Sequence, residues 1–190
     1  ERLKKTAKIV FFLSIQITAF IMSNEKHIKT LIVKKPLKLD CGKIINNFPI
    51  AYETYGSLNE KKDNAILVFH ALTGDQFVTG INPITNKDGW WSYAVGPNKS
   101  IDTNKYFVIC SNVIGGCLGS YGPSYKDPDT QKIFGTNFPV ITINDMVNAQ
   151  YNLLDQFDID KLFSVVGGSM GGMQVLQFIS NFPDKAKTVI

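Results

Sequence analysis

Leu162-Phe163-Ser164-Val165-Val166 is a mostly apolar run of strand length, and Gly167-Gly168-Ser169-Met170-Gly171 follows it at once. From Ser169 onward the apolar residues change period. Met173, Leu176, Phe178, Ile179 and Phe182 suit a well-buried helix that Pro183 helps to end. A strand that passes directly into a helix must reverse sharply, and the residue at the apex takes a strained backbone. Side chains two positions before and two after would collide there, so G-x-S-x-G carries glycine at both places, here Gly167 and Gly171. The Ser169 hydroxyl is thereby lifted to the carboxyl end of a sheet, beside free amides and a positive helix end that favour a developing oxyanion. The same glycine-rich turn could serve only packing or phosphate binding. The strand before it and the helix after it favour a nucleophilic serine.

The chain is long enough, at 190 residues, for one domain with a substantial core, and 44% hydrophobic against 19% charged residues excludes a disordered chain. Net charge is only +4 with scattered lysines and no basic stripe interleaved with aromatics, so no nucleic-acid partner is expected. Cys41, Cys110 and Cys117 are odd in number and form neither a C-x-x-C nor a Cys/His metal spacing, which points to a reducing, cytoplasmic setting with no metal. Cys117 sits in a glycine-rich loop with no base beside it and reads as a small apolar filler rather than a reactive thiol.

At the front, Arg2, Lys4, Lys5 and Lys8 precede an apolar run from Ile9 to Met22, much like the opening of a signal peptide. Ser14, Gln16 and Thr18 interrupt the run, no A-x-A site follows it, and it is short for a bilayer span, so a membrane association is not expected. Met22-Ser23-Asn24-Glu25-Lys26 reads as a natural soluble start. We therefore expect residues 1–22 to be a leader, by upstream translation or as a signal-like segment, and residues 23–190 to be the folded part.

Ile28 to Leu39 and Pro49 to Tyr55 alternate like strands and are expected to pair antiparallel at a sheet edge. Ala65 to Phe69 and Tyr106 to Cys110 are continuous apolar runs expected in the sheet interior. The first of these ends in His70-Ala71-Leu72-Thr73-Gly74-Asp75, which resembles an oxyanion loop whose donor would be the Leu72 amide. The Met170 amide would be the second donor. Each such amide is worth roughly 3 kcal/mol of transition-state stabilisation. His70 precedes the serine, so it is read as a loop-shaping residue rather than a base, and His27 as an exposed strand-start residue. Asp88 to Val95, with Trp90 and Trp91, reads as a short amphipathic helix whose tryptophans form core and pocket wall. Gly115 to about Pro139 is a long loop read as an active-site rim; it lacks the glycine order of a nucleotide-phosphate loop. Thr142 to Asp145 has capping-box spacing, and Ile143, Met146, Val147, Gln150, Leu154 and Phe157 follow one helical stripe.

A serine elbow needs a base and a group to orient it, and in this order of elements they follow the serine. After Ser169 the only acid is Asp184, and no histidine occurs. We expect the chain to be the front portion of a longer enzyme, and inert by itself because an unassisted serine hydroxyl is a poor nucleophile.

His70-Ala71-Leu72-Thr73-Gly74, Gly89-Trp90-Trp91, Tyr106 through Cys117, and Gly167 through Gln174, in this order and at fitting separations, strongly resemble the homoserine O-acetyltransferase family. Tyr52 through Asn59 and Asp145-Met146-Val147 fit the same family. The resemblance implies an α/β-hydrolase fold, with a mostly parallel central sheet flanked by helices and the lid and last strands falling after this stretch. It implies Ser169 as nucleophile, Leu72 and Met170 as oxyanion donors, and triad Asp and His beyond Ile190. It further implies a homodimer that transfers an acyl group, acetyl in the first instance, from acetyl-CoA to L-homoserine in methionine biosynthesis, without a permanently bound cofactor. Asn144 stands where the family commonly has arginine, and Tyr121 and Tyr125 replace smaller rim residues. A simple esterase, or a non-catalytic α/β scaffold, are the competing expectations.

Overall fold

The computed structural model describes residues 28–190. The expected leader at 1–22, and His27, lie outside the described residues. In chain order the strands are β1 (Lys29–Val33), β2 (Leu37–Lys38), β3 (Ile44–Ile45), β4 (Phe48–Tyr55), β5 (Ala65–Phe69), β6 (Val95–Gly96), β7 (Ile101–Asp102), β8 (Phe107–Ser111), β9 (Leu162–Gly167) and β10 (Ala186–Val189). The helices are α1 (Ile143–Leu154) and α2 (Met170–Asn181), with short 3-10 turns at Gly135–Asn137 and Asp155–Phe157.

The continuous apolar runs become the middle of a six-stranded sheet ordered β1-β4-β8-β5-β9-β10. β8, β5, β9 and β10 run parallel, while β4 runs against both β8 and β1. Every residue of β5 and β8 is buried, as strands covered on both faces must be. Alternate side chains go to opposite faces. Leu67, Phe69 and Ile109 meet Val147, Leu153, Val175 and Phe178 from α1 and α2. Ile66, Val68, Val108 and Cys110 meet Val78, Val95, Trp90 and Trp91 on the other side. Phe178 is fully buried, with its ring 5.9 Å from that of Phe69 and 5.3 Å from that of Phe182, so truncating it to alanine is expected to cost about 3–5 kcal/mol.

The expected antiparallel edge pair is present, but its first strand is shorter than the alternation suggested. β1 pairs with β4 from Lys29↔Tyr52 to Val33↔Phe48, and then Lys34-Lys35-Pro36 breaks the ladder, since proline has no N–H to donate. The chain resumes as the small β2–β3 hairpin. The helix expected over Asp88 to Val95 does not form. The Trp91 amide donates to Val78 O (2.8 Å) outside the segment, and Gly89 packs so tightly on Val78 and Thr79 that a Cβ there would lie 2.5 Å from Val78 C. These non-local contacts hold the front of the segment, while Ser92 N–H to Gly89 O (3.0 Å) and Val95 N–H to Trp91 O (3.0 Å) close separate turns, so the segment is a run of turns. Trp90 and Trp91 stack with centroids 5.4 Å apart and pack on the second core cluster, as expected for core, and neither lines the cavity beside the β9–α2 reversal.

The capping box at the head of α1 is complete: Asp145 N–H donates to Thr142 Oγ1 (3.2 Å), and Thr142 N–H donates to Asp145 Oδ2 (3.0 Å). Asp145 is fully buried and also accepts from the Asp40 amide (2.9 Å), so the cap fastens the β2–β3 turn to the helix.

Candidate active site

β9 ends at Gly167 and α2 begins at Met170, leaving two residues for the reversal. Ser169 absorbs it with φ 57° and ψ −125°, a conformation that an L residue adopts only under constraint. The constraint is visible at the flanking glycines. A Cβ on Gly167 would lie 2.5 Å from the carbonyl group of Gly171, and one on Gly171 would lie 2.1 Å from Phe69 O at the end of β5. The first collision is the one expected from spacing alone. The second shows that the glycine also lets the helix dock against the neighbouring strand. Ser169 is exposed, and its hydroxyl caps nothing in its own helix.

Phe69 and Gly167 are register partners, so the loop after β5 begins directly beside the elbow. Ala71 to Gly74 form a turn closed by Gly74 N–H to Ala71 O (2.9 Å), with Leu72 at its first central position. Leu72 exposes 77% of its surface. Among the described residues, neither the Leu72 amide nor the Met170 amide has a hydrogen-bond partner. Both residues line one cavity of about 400 Å³. Residues of the elbow and of the loop thus line the same space, and each carries an amide without a partner among the described residues, the kind of donor an oxyanion hole requires.

His70 is buried, and both of its ring nitrogens are engaged. Nδ1 lies 2.7 Å from Ala71 O, which it must donate to, because Nε2 accepts from the Val113 amide (3.2 Å). Burial pushes its pKa down from the usual histidine value. A neutral imidazole in this tautomer ties the β5 loop to the β8 loop and has no lone pair left for a base, in keeping with a loop-shaping role. Asp75 is held in the same loop by Phe77 N–H (2.8 Å) and Asn82 Nδ2 (2.9 Å), with its pKa pushed up by burial.

The rim loop forms the facing wall of the cavity through Gly115, Gly116, Leu118, Phe138 and Pro139. It is fixed to the sheet by Ser120 Oγ, which accepts from Ala51 N–H (2.9 Å) and donates to Asn112 O (2.6 Å). Tyr121 packs on Tyr125 (5.4 Å) and Phe138 (5.4 Å), so its larger ring stiffens the loop from within. Cys117 is not the buried filler expected of it. Positive φ at Gly115 (81°) and Gly119 (97°) turns the loop outward, leaving the Cys117 thiol exposed at the cavity, whereas Cys110 is the buried one. Asn144 does not reach the cavity; it donates to Asp40 Oδ1 (2.8 Å) and accepts from Asn181 Nδ2 (2.8 Å). Sequence reasoning also missed three buried polar residues, Ser111, Gln150 and Gln174, that bond to one another behind the site. The signal was available for Gln150, a polar residue on an otherwise apolar helical stripe.

Among the described residues, no cluster of three or more His, Cys, Asp or Glu is placed to hold a metal, and no helix is long and apolar enough to cross a membrane. The alpha/beta hydrolase fold family profile matches residues 64–190, from the head of β5 through β10. The chain belongs to the α/β-hydrolase fold family. Within that family it is 74% identical over 169 residues to the homoserine O-acetyltransferase of Pelagibacter ubique (strain HTCC1062), a match covering 89% of this chain and 45% of that protein. Among solved α/β-hydrolase structures, homoserine O-acetyltransferase from Bacillus anthracis superposes with a TM-score of 0.79 at 31% identity, covering 85% of this chain and 45% of that one. Esterase E22 superposes with a TM-score of 0.77 at 33% identity, covering 84% of this chain and 45% of that one. The chain thus spans less than half the length of these relatives.

Proposed function

We propose that this α/β-hydrolase chain belongs to an acyltransferase that moves an acetyl group from acetyl-CoA to the hydroxyl of L-homoserine through an acyl-enzyme on Ser169. The observation that carries the reading is the strained, exposed Ser169 next to Met170, which lines one cavity together with Leu72, the amides of both having no partner among the described residues. The homoserine O-acetyltransferase name of its relatives supports the substrates. Ser169 would attack the thioester carbonyl, the Leu72 and Met170 amides would hold the oxyanion, and the CoA thiolate would leave with the proton first taken from the serine. The homoserine hydroxyl would then attack the acyl-serine and give up its own proton as Ser169 is released. Gly167 and Gly171 act by permitting the bend.

The acetyl donor follows the acetyltransferase name that the relatives carry. The base and its orienting acid follow the nucleophile in this fold. They are proposed to come from the part of the relatives' length that this chain does not span. Water must be kept from the acyl-serine for transfer to win over hydrolysis, and the stiff aromatic rim is suited to that. Homodimerisation, a cytoplasmic location, a role in methionine biosynthesis and the absence of a nucleic-acid partner complete the proposal.

The likeness to esterase E22 favours a second reading, hydrolysis by the same elbow. Supplying the full-length enzyme with acetyl-CoA, with and without L-homoserine, separates the two. Transfer predicts O-acetylhomoserine as the main product, whereas acetate formed at a rate indifferent to homoserine would establish the esterase.

A further inference from the structure

Between the sheet and the two helices runs a line of buried polar side chains that the proposed chemistry does not use. Ser111 at the end of β8, Gln150 on α1 and Gln174 on α2 are each fully buried. Ser111 Oγ donates to Gln150 Oε1 (2.8 Å), and Gln150 Nε2 donates to Gln174 Oε1 (2.5 Å). Gln174 Nε2 then points between two backbone carbonyls, His70 O at 3.4 Å and Met170 O at 3.5 Å. The direction is fixed along the whole line. Turning the Gln174 amide over would set its NH2 against that of Gln150 and its oxygen against two carbonyl oxygens.

Apolar residues of the same size would fill this space without the desolvation that two buried amides require. What the amides add is a connection between segments far apart in sequence, and its last link falls on the two elements that carry the free amides. His70 opens the loop two residues before Leu72, and Met170 is the first residue of α2. The missing Cβ of Gly171 lets the end of β5 lie against the first turn of the helix, and Gln174, three residues further along, bonds across that contact. Each of the two final contacts is long. The aligned dipoles behind them, Ser111 to Gln150 to Gln174, polarise the terminal NH2 and strengthen both.

We infer that Gln174, held by Gln150 and Ser111, is a positioning residue that sets the separation of the Leu72 and Met170 amides, and so tunes the oxyanion hole. The inference deepens the acyl-transfer reading above and rests on it. Gln174 touches neither substrate nor reacting atoms; it acts through the backbone of the two donor segments.

The test is rapid-quench measurement of acyl-enzyme formation by the full-length enzyme mixed with acetyl-CoA, across a pH series, for wild type, Gln174→Met and Gln174→Glu. Gln174→Met should lower the acylation rate constant by about 10- to 100-fold while the half-saturating acetyl-CoA concentration stays within about twofold. Gln174→Glu still accepts from Gln150, but its second oxygen can bond the two carbonyls only when protonated. Its acylation rate should therefore fall with rising pH through a transition that wild type lacks, a signature that loss of packing would not produce. A wild-type acylation rate in folded Gln174→Met, or a wild-type pH profile in Gln174→Glu, overturns the inference alone. A wild-type enzyme that forms no acyl-enzyme overturns the acyl-transfer reading, and the inference with it.

Discussion

Replacing Gly171 by alanine, beside the same change at Gly172, isolates the contact on which the site is built. A Cβ on Gly171 would lie 2.1 Å from Phe69 O, 2.9 Å from Phe69 C and 3.2 Å from His70 O, all backbone atoms that no rotamer change can move. Restoring an ordinary contact of about 3.4 Å requires the first turn of α2 to withdraw from the end of β5 by about 1 Å. A Cβ on Gly172, in the same turn, would meet only Gly167 O, at 3.4 Å. Both alanines gain helix propensity, worth up to about 1 kcal/mol, but only Gly171→Ala carries the overpacking cost of about 1–3 kcal/mol. Urea unfolding of the full-length enzyme should therefore place Gly171→Ala about 1–3 kcal/mol below Gly172→Ala. The same withdrawal moves the Met170 amide away from the Leu72 amide, so acylation by acetyl-CoA should fall about 100-fold in Gly171→Ala and stay close to wild type in Gly172→Ala. Equal midpoints and equal acylation rates in the two variants would refute the close approach of strand and helix.

Three further outcomes follow from the geometry. Ser169→Gly removes a non-glycine residue from φ 57° and should raise stability by about 1 kcal/mol in thermal or urea unfolding while abolishing acylation; an unchanged or lower midpoint would show that the bend stores no strain. His70 is held neutral by burial, so below its usual pKa of 6.5 the unfolded chain takes up a proton before the folded one does. Its contribution is thus complete above about pH 6.5 and declines on acidification, and a pH series of unfolding midpoints should lose that segment of the slope in His70→Asn. Iodoacetamide labelling read by mass spectrometry should modify Cys41 and Cys117 in the folded protein and spare buried Cys110; early labelling of Cys110 would contradict its placement in β8.

The sequence was most legible where a feature is local. The elbow could be read because a strand period gives way to a helix period across a glycine-flanked serine, and the capping box because its partners lie three residues apart. Interior strands declared themselves as unbroken apolar runs. The segment around Trp90 and Trp91 could not be read, because the partners that prevent its helix, Val78 O for the Trp91 amide and Asp75 O for the Trp90 indole, sit outside it. The line from Ser111 to Gln174 was hidden for the same reason. Its links join residues 39, 24 and 104 positions apart, and no periodicity reports such pairs. The exposure of Cys117 depended on the path of a loop whose turns are set by positive φ at glycines, which composition alone does not locate.

The proposed attack of Ser169 on a thioester carbonyl leaves a mass on the protein, which mass spectrometry reads from the full-length enzyme quenched in acid shortly after mixing with acetyl-CoA without homoserine, and then digested. One acetyl group is expected on the peptide containing Ser169, discharged when L-homoserine is added before the quench. An unmodified Ser169 peptide during productive turnover, or an acetyl group carried on another residue such as Cys117, would contradict it.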